Sequence, residues 1–340
     1  MPLPTQIHGL FFVFSLITAS FMLDILAITL PIYLIIGIGY LTTRLGVFAK
    51  ADMRVFGKFV IYLALPALIF NAMAQRKFSD ILNISYLFAY TCGTCLVIAT
   101  GWLWSRKIAR LNLTSSTFYV MGMSCSNSSF VGFPILLLTL APVAGIALAL
   151  NVLIENILII PLLLIMAERS THTGEQHQGL SVFLQPLKRL AHNPLVIGLC
   201  AGLLVSISGM TLAPSISRTV TLFASASGAL SLFVIGGTLV GLPVKGMGKR
   251  IAPITFGKLI LHPLAVTLAI LALPLLGLPA LDPALRMAAI LLAAMPMLGI
   301  YPILAQVYGK EDFTATALLV TTIASFFSLS GLLWLSKHLA

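Results

Sequence analysis

The sequence predicts an all-α membrane protein of ten transmembrane helices, arranged as two inverted five-helix repeats in which spans 4 and 9 are broken. Three observations predict it. Of the 340 residues, 59% are hydrophobic and 9% charged, and the mean hydropathy is +1.07. Soluble domains use roughly 45–50% apolar residues, and several apolar runs here approach the roughly 20 residues that a bilayer requires. Two hydrophobic segments in opposite halves are also interrupted alike, Asn127-Ser128-Ser129-Phe130-Val131-Gly132-Phe133-Pro134 and Met295-Pro296-Met297-Leu298-Gly299-Ile300-Tyr301-Pro302.

Hydropathy along the chain places the spans at 24–43, 55–74, 85–105, 115–139, 143–167, 194–209, 217–240, 251–275, 285–307 and 313–336. Residues 1–22 form an N-terminal extension. The stretch from Leu10 to Leu41 is too long for one span, and Met22 is a second candidate start. No basic n-region precedes His8, so a signal peptide is not indicated, and the extension is assigned no function. The first repeat covers 23–167, a connecting loop 168–193, and the second repeat 194–340. Within that loop, residues 181–190 suit a short interfacial helix.

A formal charge of +11 would suggest nucleic acid in a soluble chain, but its distribution follows the positive-inside rule instead. Loops after the odd-numbered spans hold 14 Lys and Arg: Arg44, Lys50, Arg54, Lys58, Arg106, Lys107, Arg110, Arg169, Lys188, Arg189, Lys245, Lys249, Arg250 and Lys310. The opposite side holds 5: Arg76, Lys77, Arg218, Arg286 and Lys337. The first set is therefore expected in the cytoplasm and both termini outside, in the periplasm of a bacterial inner membrane.

Internal repetition supports the division. Pro31 to Gly39 aligns with Pro194 to Gly202 at an offset of 194 − 31 = 163, and Pro66 to Phe70 aligns with Ala229 to Phe233 at 233 − 70 = 163. At the interruptions, Phe133-Pro134 aligns with Tyr301-Pro302 at 302 − 134 = 168. Five spans per repeat is an odd number, so the second repeat must be inverted. Hydrocarbon offers no water to backbone groups freed by a broken helix, so such groups must face protein or a wet cavity. Paired interruptions in corresponding positions of two repeats are the best sequence pointer to a solute site.

Together with these interruptions, Pro31 to Tyr40, Tyr62 to Phe70, Ser126-Asn127, Asn193-Pro194, Phe233 to Gly236, Lys258 to Pro263 and Ala294-Met295-Pro296 resemble the auxin efflux carrier family, bacterial relatives of the plant PIN-FORMED proteins. The resemblance runs from about Leu23 to the C-terminus and implies a fold like that of bile-acid symporters and sodium/proton antiporters. A scaffold part would face a transport part in which spans 4 and 9 cross. It further implies alternating access of elevator type for a small organic anion such as auxin, malate or malonate. By analogy it also suggests a homodimer formed through the scaffold. One departure is Ala229, where the family commonly has proline, and a straighter seventh span is expected there.

Where broken helices cross, unpaired N–H groups at half-helix N-termini suit a carboxylate. The substrate-contact candidates are Asn127, Ser126, Ser128, Gly132, Pro134, Pro296, Gly299, Tyr301 and Pro302. Asn127 brings a donor and an acceptor, and Ser126, Ser128 and Ser129 bring hydroxyls to the same turn. Asn127 alternatively caps its half-helix, and the two roles are compatible. Pro134, Pro296 and Pro302 would shape the crossing, Gly132 and Gly299 would allow close backbone approach, and Pro31, Pro66, Pro161, Pro194 and Pro263 would shape the scaffold.

Two charges lie inside apolar spans. Glu155 near the middle of span 5 costs at least about 2.5 kcal/mol if ionised there. It is a protonatable coupling group, a cation ligand or a partner of a buried cation, with Asn151 one turn earlier on the same face. Lys258 is the partner candidate. It lies about seven residues into span 8, about 10 Å deep at 1.5 Å per residue, a depth from which it could also snorkel to the headgroups. His262 is of the type that titrates near neutral pH, though a membrane histidine beside Pro263 is more often a packed hydrogen-bonder. The candidate drives are a proton, sodium or the membrane potential.

Enzyme chemistry is not indicated. Cys92-Gly93-Thr94-Cys95 has redox spacing, but inside span 3 it suits helix packing. Metal, phosphate-loop and nucleophile-elbow motifs are missing from the sequence, and no cofactor is expected. Trp102, Trp104 and Trp334 sit near span ends as interface anchors facing membrane lipid. The sequence therefore reads as a secondary carrier. A sensor that kept the carrier fold and bound an anion without moving it is the alternative.

Overall fold

In the computed structural model, residues 30–74, 83–168, 192–241, 248–306 and 308–339 are described. The extension over 1–22 and the interfacial helix expected over 181–190 lie outside them. Among the described residues all regular structure is helical, and the isolated backbone bridge Ser126↔Met297 takes the place of any sheet. In chain order the helices are α1 (Leu30–Arg44), α2 (Asp52–Ala74), α3 (Ile84–Ile108), α4 (Leu113–Ser124), α5 (Ser128–Thr139), α6 (Ala141–Ala167) and α7 (Pro194–Ser208). They continue as α8 (Pro214–Thr238), α9 (Arg250–Ala272), α10 (Pro283–Ala293), α11 (Tyr301–Gln306) and α12 (Glu311–Leu339). Six of them, α2, α3, α6, α8, α9 and α12, are long and apolar enough to cross a membrane. This is an integral membrane protein.

Local chemistry sets the helix ends. Asn83, Asn112, Asn193 and Asp282 each cap a helix by accepting from an amide of its first turn, satisfying donors that no earlier carbonyl can reach. Pro194 and Pro283 take first-turn positions, where a missing N–H costs nothing. At the other end of α7, Gly209 closes the helix in the left-handed region at φ 64°.

Four prolines inside the helices leave the same mark. Pro66, Pro134, Pro161 and Pro263 each lie two residues after a π-helical segment, namely Val60–Ala64, Ser128–Gly132, Ile154–Ile159 and Gly257–Leu261. A proline offers no N–H and clashes with the carbonyl four residues back. One extra residue in the preceding turn lets the ladder pass that carbonyl by. Two of these turns carry Glu155 and Lys258. A fifth π segment, Trp104–Ile108, ends α3 with no proline behind it. At Ala229, α8 runs through as 25 residues of α-helix with no π turn, as the missing proline leads one to expect.

α1, α2, α7 and α8 pack tightly because glycines let backbones meet. A Cβ on Gly39 would lie 2.1 Å from the Phe233 carbonyl oxygen of α8, and one on Gly202 would lie 2.7 Å from the Phe70 carbonyl oxygen of α2. On the other side of the molecule Gly93 brings α3 onto α9, where an added Cβ would meet the Val266 Cα at 2.6 Å. Cys92 and Cys95 flank that glycine but are exposed, so the packing expected of them is performed by Gly93. α4 is buried continuously from Ser116 to Ser124, which puts the end of this helix at the centre of the bundle.

Candidate functional site

α4 stops at Ser124 and α5 starts at Ser128; α10 stops at Ala293 and α11 starts at Tyr301. The two unwound stretches satisfy each other. The Asn127 N–H donates to the Pro296 carbonyl at 2.8 Å, and the Leu298 N–H donates to the Cys125 carbonyl at 3.3 Å. Backbone groups that a broken helix frees are thus paired away from lipid. The interruptions lie earlier than the sequence suggested. Pro134 and Pro302 belong to the helices α5 and α11: Pro302 takes the second position of α11, where a missing N–H costs little, and Pro134 follows the π turn Ser128–Gly132, which lets the ladder pass it.

Asn127 sits where the two stretches meet, 4% exposed. Its Oδ1 accepts from the Phe130 N–H at 3.2 Å, so it does cap α5. Its Nδ2 is buried and has no hydrogen-bond partner. Beside it is Gly299, whose added Cβ would stand 3.6 Å from that nitrogen and 3.4 Å from Ile235 of α8. Those are ordinary contact distances, so the close backbone approach expected of Gly299 is not found. Gly132 is tight against the Leu292 side chain, at 2.5 Å for an added Cβ.

Two polar relays flank this point. In the first, Tyr86 donates to Asn151 Oδ1 at 2.9 Å, Asn151 Nδ2 donates to Ser128 Oγ at 3.2 Å, and Ser128 Oγ donates to Glu155 Oε1 at 2.9 Å. Every donor points toward the carboxylate. In the second, Lys258 Nζ donates to Ser126 Oγ and the Ala293 carbonyl, each at 2.7 Å, and lies 2.7 Å from His262 Nδ1. His262 Nε2 is 3.0 Å from Thr94 Oγ1, which donates to the Tyr90 carbonyl at 2.7 Å. With Lys258 as an ammonium, which has no lone pair to offer, His262 Nδ1 accepts and its Nε2–H is left to donate to Thr94. The second relay closes on itself at Ser126, whose Oγ is also 3.3 Å from Tyr90 OH.

Lys258 is fully buried, which excludes snorkelling. It forms no direct ion pair with Glu155; each charge has its own set of neutral partners. Tyr301 is also fully engaged. Its hydroxyl donates to the Phe118 carbonyl at 2.5 Å, tying α11 to α4. The structure therefore gathers Ser126, Asn127, Ser128, Asn151, Glu155, Lys258 and His262 around the first interruption, and Pro296 and Gly299 beside them.

Sequence reasoning missed Tyr86, Tyr90 and Thr94, which line one face of α3 at four-residue spacing and complete both relays. A signal was available. The offset of 168 that relates the two interruptions also relates Lys258 to Tyr90, at 258 − 90, and His262 to Thr94, at 262 − 94.

Comparison with known proteins adds an independent line. A family model described as "Membrane transport protein" matches residues 24–333. A Rhizobium meliloti (strain 1021) protein named "Putative malonate transporter" is 28% identical over 320 residues, covering 93% of this chain and 97% of that protein. An Escherichia coli (strain K12) protein named "Uncharacterized transporter YfdV" is 26% identical over 253 residues, 70% of this chain and 76% of the relative.

Proposed function

The chain belongs to the membrane transport protein family, that of the auxin efflux carriers its motifs resemble, and from this premise we propose that it is a secondary carrier of a small organic anion working by alternating access at the paired interruptions. Membership makes it a transporter rather than an enzyme. The observation that carries the rest is the buried, unpartnered Asn127 amide held where two unwound segments pair. A buried donor with no acceptor costs about 1–3 kcal/mol, and a substrate carboxylate would remove that cost. The N-terminal end of α5, with its positive partial charge, favours the same anion. The name of the Rhizobium relative supports malonate as the first compound to test.

Within this reading Asn127 and Ser129 contact substrate, Gly299 leaves room for it, and Pro134, Pro296, Pro302, Gly132 and Tyr301 hold the shape of the crossing. Ser126 and Ser128 connect it to Lys258 and Glu155. The ten spans count α4 with α5, and α10 with α11, as single broken spans. They form inverted repeats over 23–167 and 194–340. A reciprocal contact supports this: Gly39 meets Phe233, and Gly202 meets Phe70. Adding the offset of 163 turns Gly39 into Gly202 and Phe70 into Phe233, so one contact is the image of the other. α1, α2, α7 and α8 would be the scaffold, with dimerisation through it, and the charge distribution supports an inner-membrane protein with both termini outside.

Counterflow of labelled malonate, malate and indole-acetate in proteoliposomes tests the proposal. Uptake driven by internal unlabelled anion is expected for at least one. Saturable binding without counterflow would make the protein a sensor, and neither would refute an anion site.

A further inference from the structure

Lys258 lies in the π turn Gly257–Leu261, one turn before His262 and Pro263, with its side chain completely buried. Three acceptors surround Nζ at 2.7 Å each: Ser126 Oγ, the Ala293 carbonyl and His262 Nδ1. An ammonium has three N–H donors, so its valences are filled with none to spare. The origin of the acceptors is informative. Ser126 belongs to the first unwound stretch, and Ala293 is the last residue of α10, immediately before the second. Carbonyls at such a helix end lack amide partners and carry the negative end of the helix dipole. In carriers with broken helices, these half-helix C-terminal carbonyls and unwound segments are where coupling cations are held.

We propose that Lys258 is a tethered coupling cation: its ammonium permanently fills a monovalent-cation site built from Ser126, Ala293 and His262, clamps the two interruptions together, and frees the carrier from any need for external sodium. The covalent tether makes the charge move with the site in both directions of the cycle. Truncation at Cβ would leave a vacancy with the ligand set and size for ammonium or methylammonium. The proposal rests on reading the paired interruptions as the transport site, and its test is chosen so that the two can fail separately.

Wild type and Lys258→Ala are purified in detergent and their melting temperatures followed against sodium, ammonium, methylammonium and tetramethylammonium chlorides. The wild type is expected to show no saturable response to sodium. Lys258→Ala is expected to melt lower and to recover saturably with ammonium or methylammonium, but not with the bulky tetramethylammonium. Lys258→Met, which fills the space with an apolar chain, is expected to ignore all four. If Lys258→Ala is unstable on extraction, its recovery as monodisperse protein with methylammonium throughout is the readout. Labelled-malonate counterflow by Lys258→Ala should fall about tenfold or more, the least that losing any one of its three charge-assisted hydrogen bonds implies, and return with methylammonium. A saturable sodium dependence of the wild type, or an alanine variant that neither ammonium ion restores, overturns the proposal. Absence of malonate counterflow in the wild type strikes the transport reading alone, because the melting arm still decides this one.

Discussion

Replacement of Asn127 by alanine should separate stability from transport. The side chain makes one hydrogen bond, from the Phe130 amide to Oδ1 at 3.2 Å, and buries one donor that makes none. Loss of an N-cap costs about 1 kcal/mol. Removal of a buried, unpaired donor returns about 1–3 kcal/mol. The two effects oppose each other, so Asn127→Ala should be as stable as the parent or slightly more so, within about 1–2 kcal/mol by the same magnitudes. Transport should respond the other way. A hydrogen bond to a carboxylate contributes about 1.5–3 kcal/mol, which is about ten- to a hundred-fold in affinity. The assay pairs chemical denaturation in detergent with the concentration dependence of labelled-malonate counterflow. A variant destabilised by more than about 2 kcal/mol, beyond the range of a lost cap, yet with unchanged half-saturation, would show that Asn127 serves the helix alone and refute the reasoning.

Three further outcomes follow from the geometry. Ser128→Ala removes the hydroxyl that links Asn151 to Glu155, and should cost about 1.5–3 kcal/mol in denaturation while Ser128→Thr retains most of the stability. Gly39→Val and Gly202→Val each drive a side chain into a backbone carbonyl of the facing helix; both should destabilise by about 1–3 kcal/mol or more, and a neutral result at either would contradict the reciprocal packing. Tyr301→Phe loses one bond to the Phe118 carbonyl, should lower stability by about 1 kcal/mol, and should leave the substrate concentration dependence of counterflow unchanged.

Much of the fold was legible because a bilayer imposes simple requirements on a sequence. Apolar runs such as Ala141–Ala167 and Glu311–Ser336 announce themselves by length and composition. Prolines told where helices would deviate, though not how. Pro161 and Pro263 were assigned to shaping the scaffold, and they follow the π turns that carry Glu155 and Lys258. Positions of the breaks were legible only to within several residues, since proline marks both the end of one regular stretch and the start of the next. Tyr86, Tyr90 and Thr94 were passed over for a different reason. A threonine in an apolar helix can bond to the carbonyl one turn back, as Thr100 does to Leu96, and a tyrosine brings a large apolar ring that suits such a helix, so neither type by itself signals a long-range partner.

By itself the sequence determined the membrane class, the two interruptions, the uneven distribution of basic residues along the chain and the two intramembrane charges, because each is a property of composition or of neighbours along the chain. Tertiary structure alone decided what those features face. Ser126 and Met297 pair although 297 − 126 = 171 residues separate them, about half the chain, and Lys258 meets Ser126 and Ala293, not Glu155. The physical reason is that a buried polar group must find a partner somewhere, and its type fixes only what kind of partner that is. Which one it finds depends on how the helices pack, and here close glycine contacts and proline-driven π turns bring the two interruptions, and the two buried charges, to a common centre.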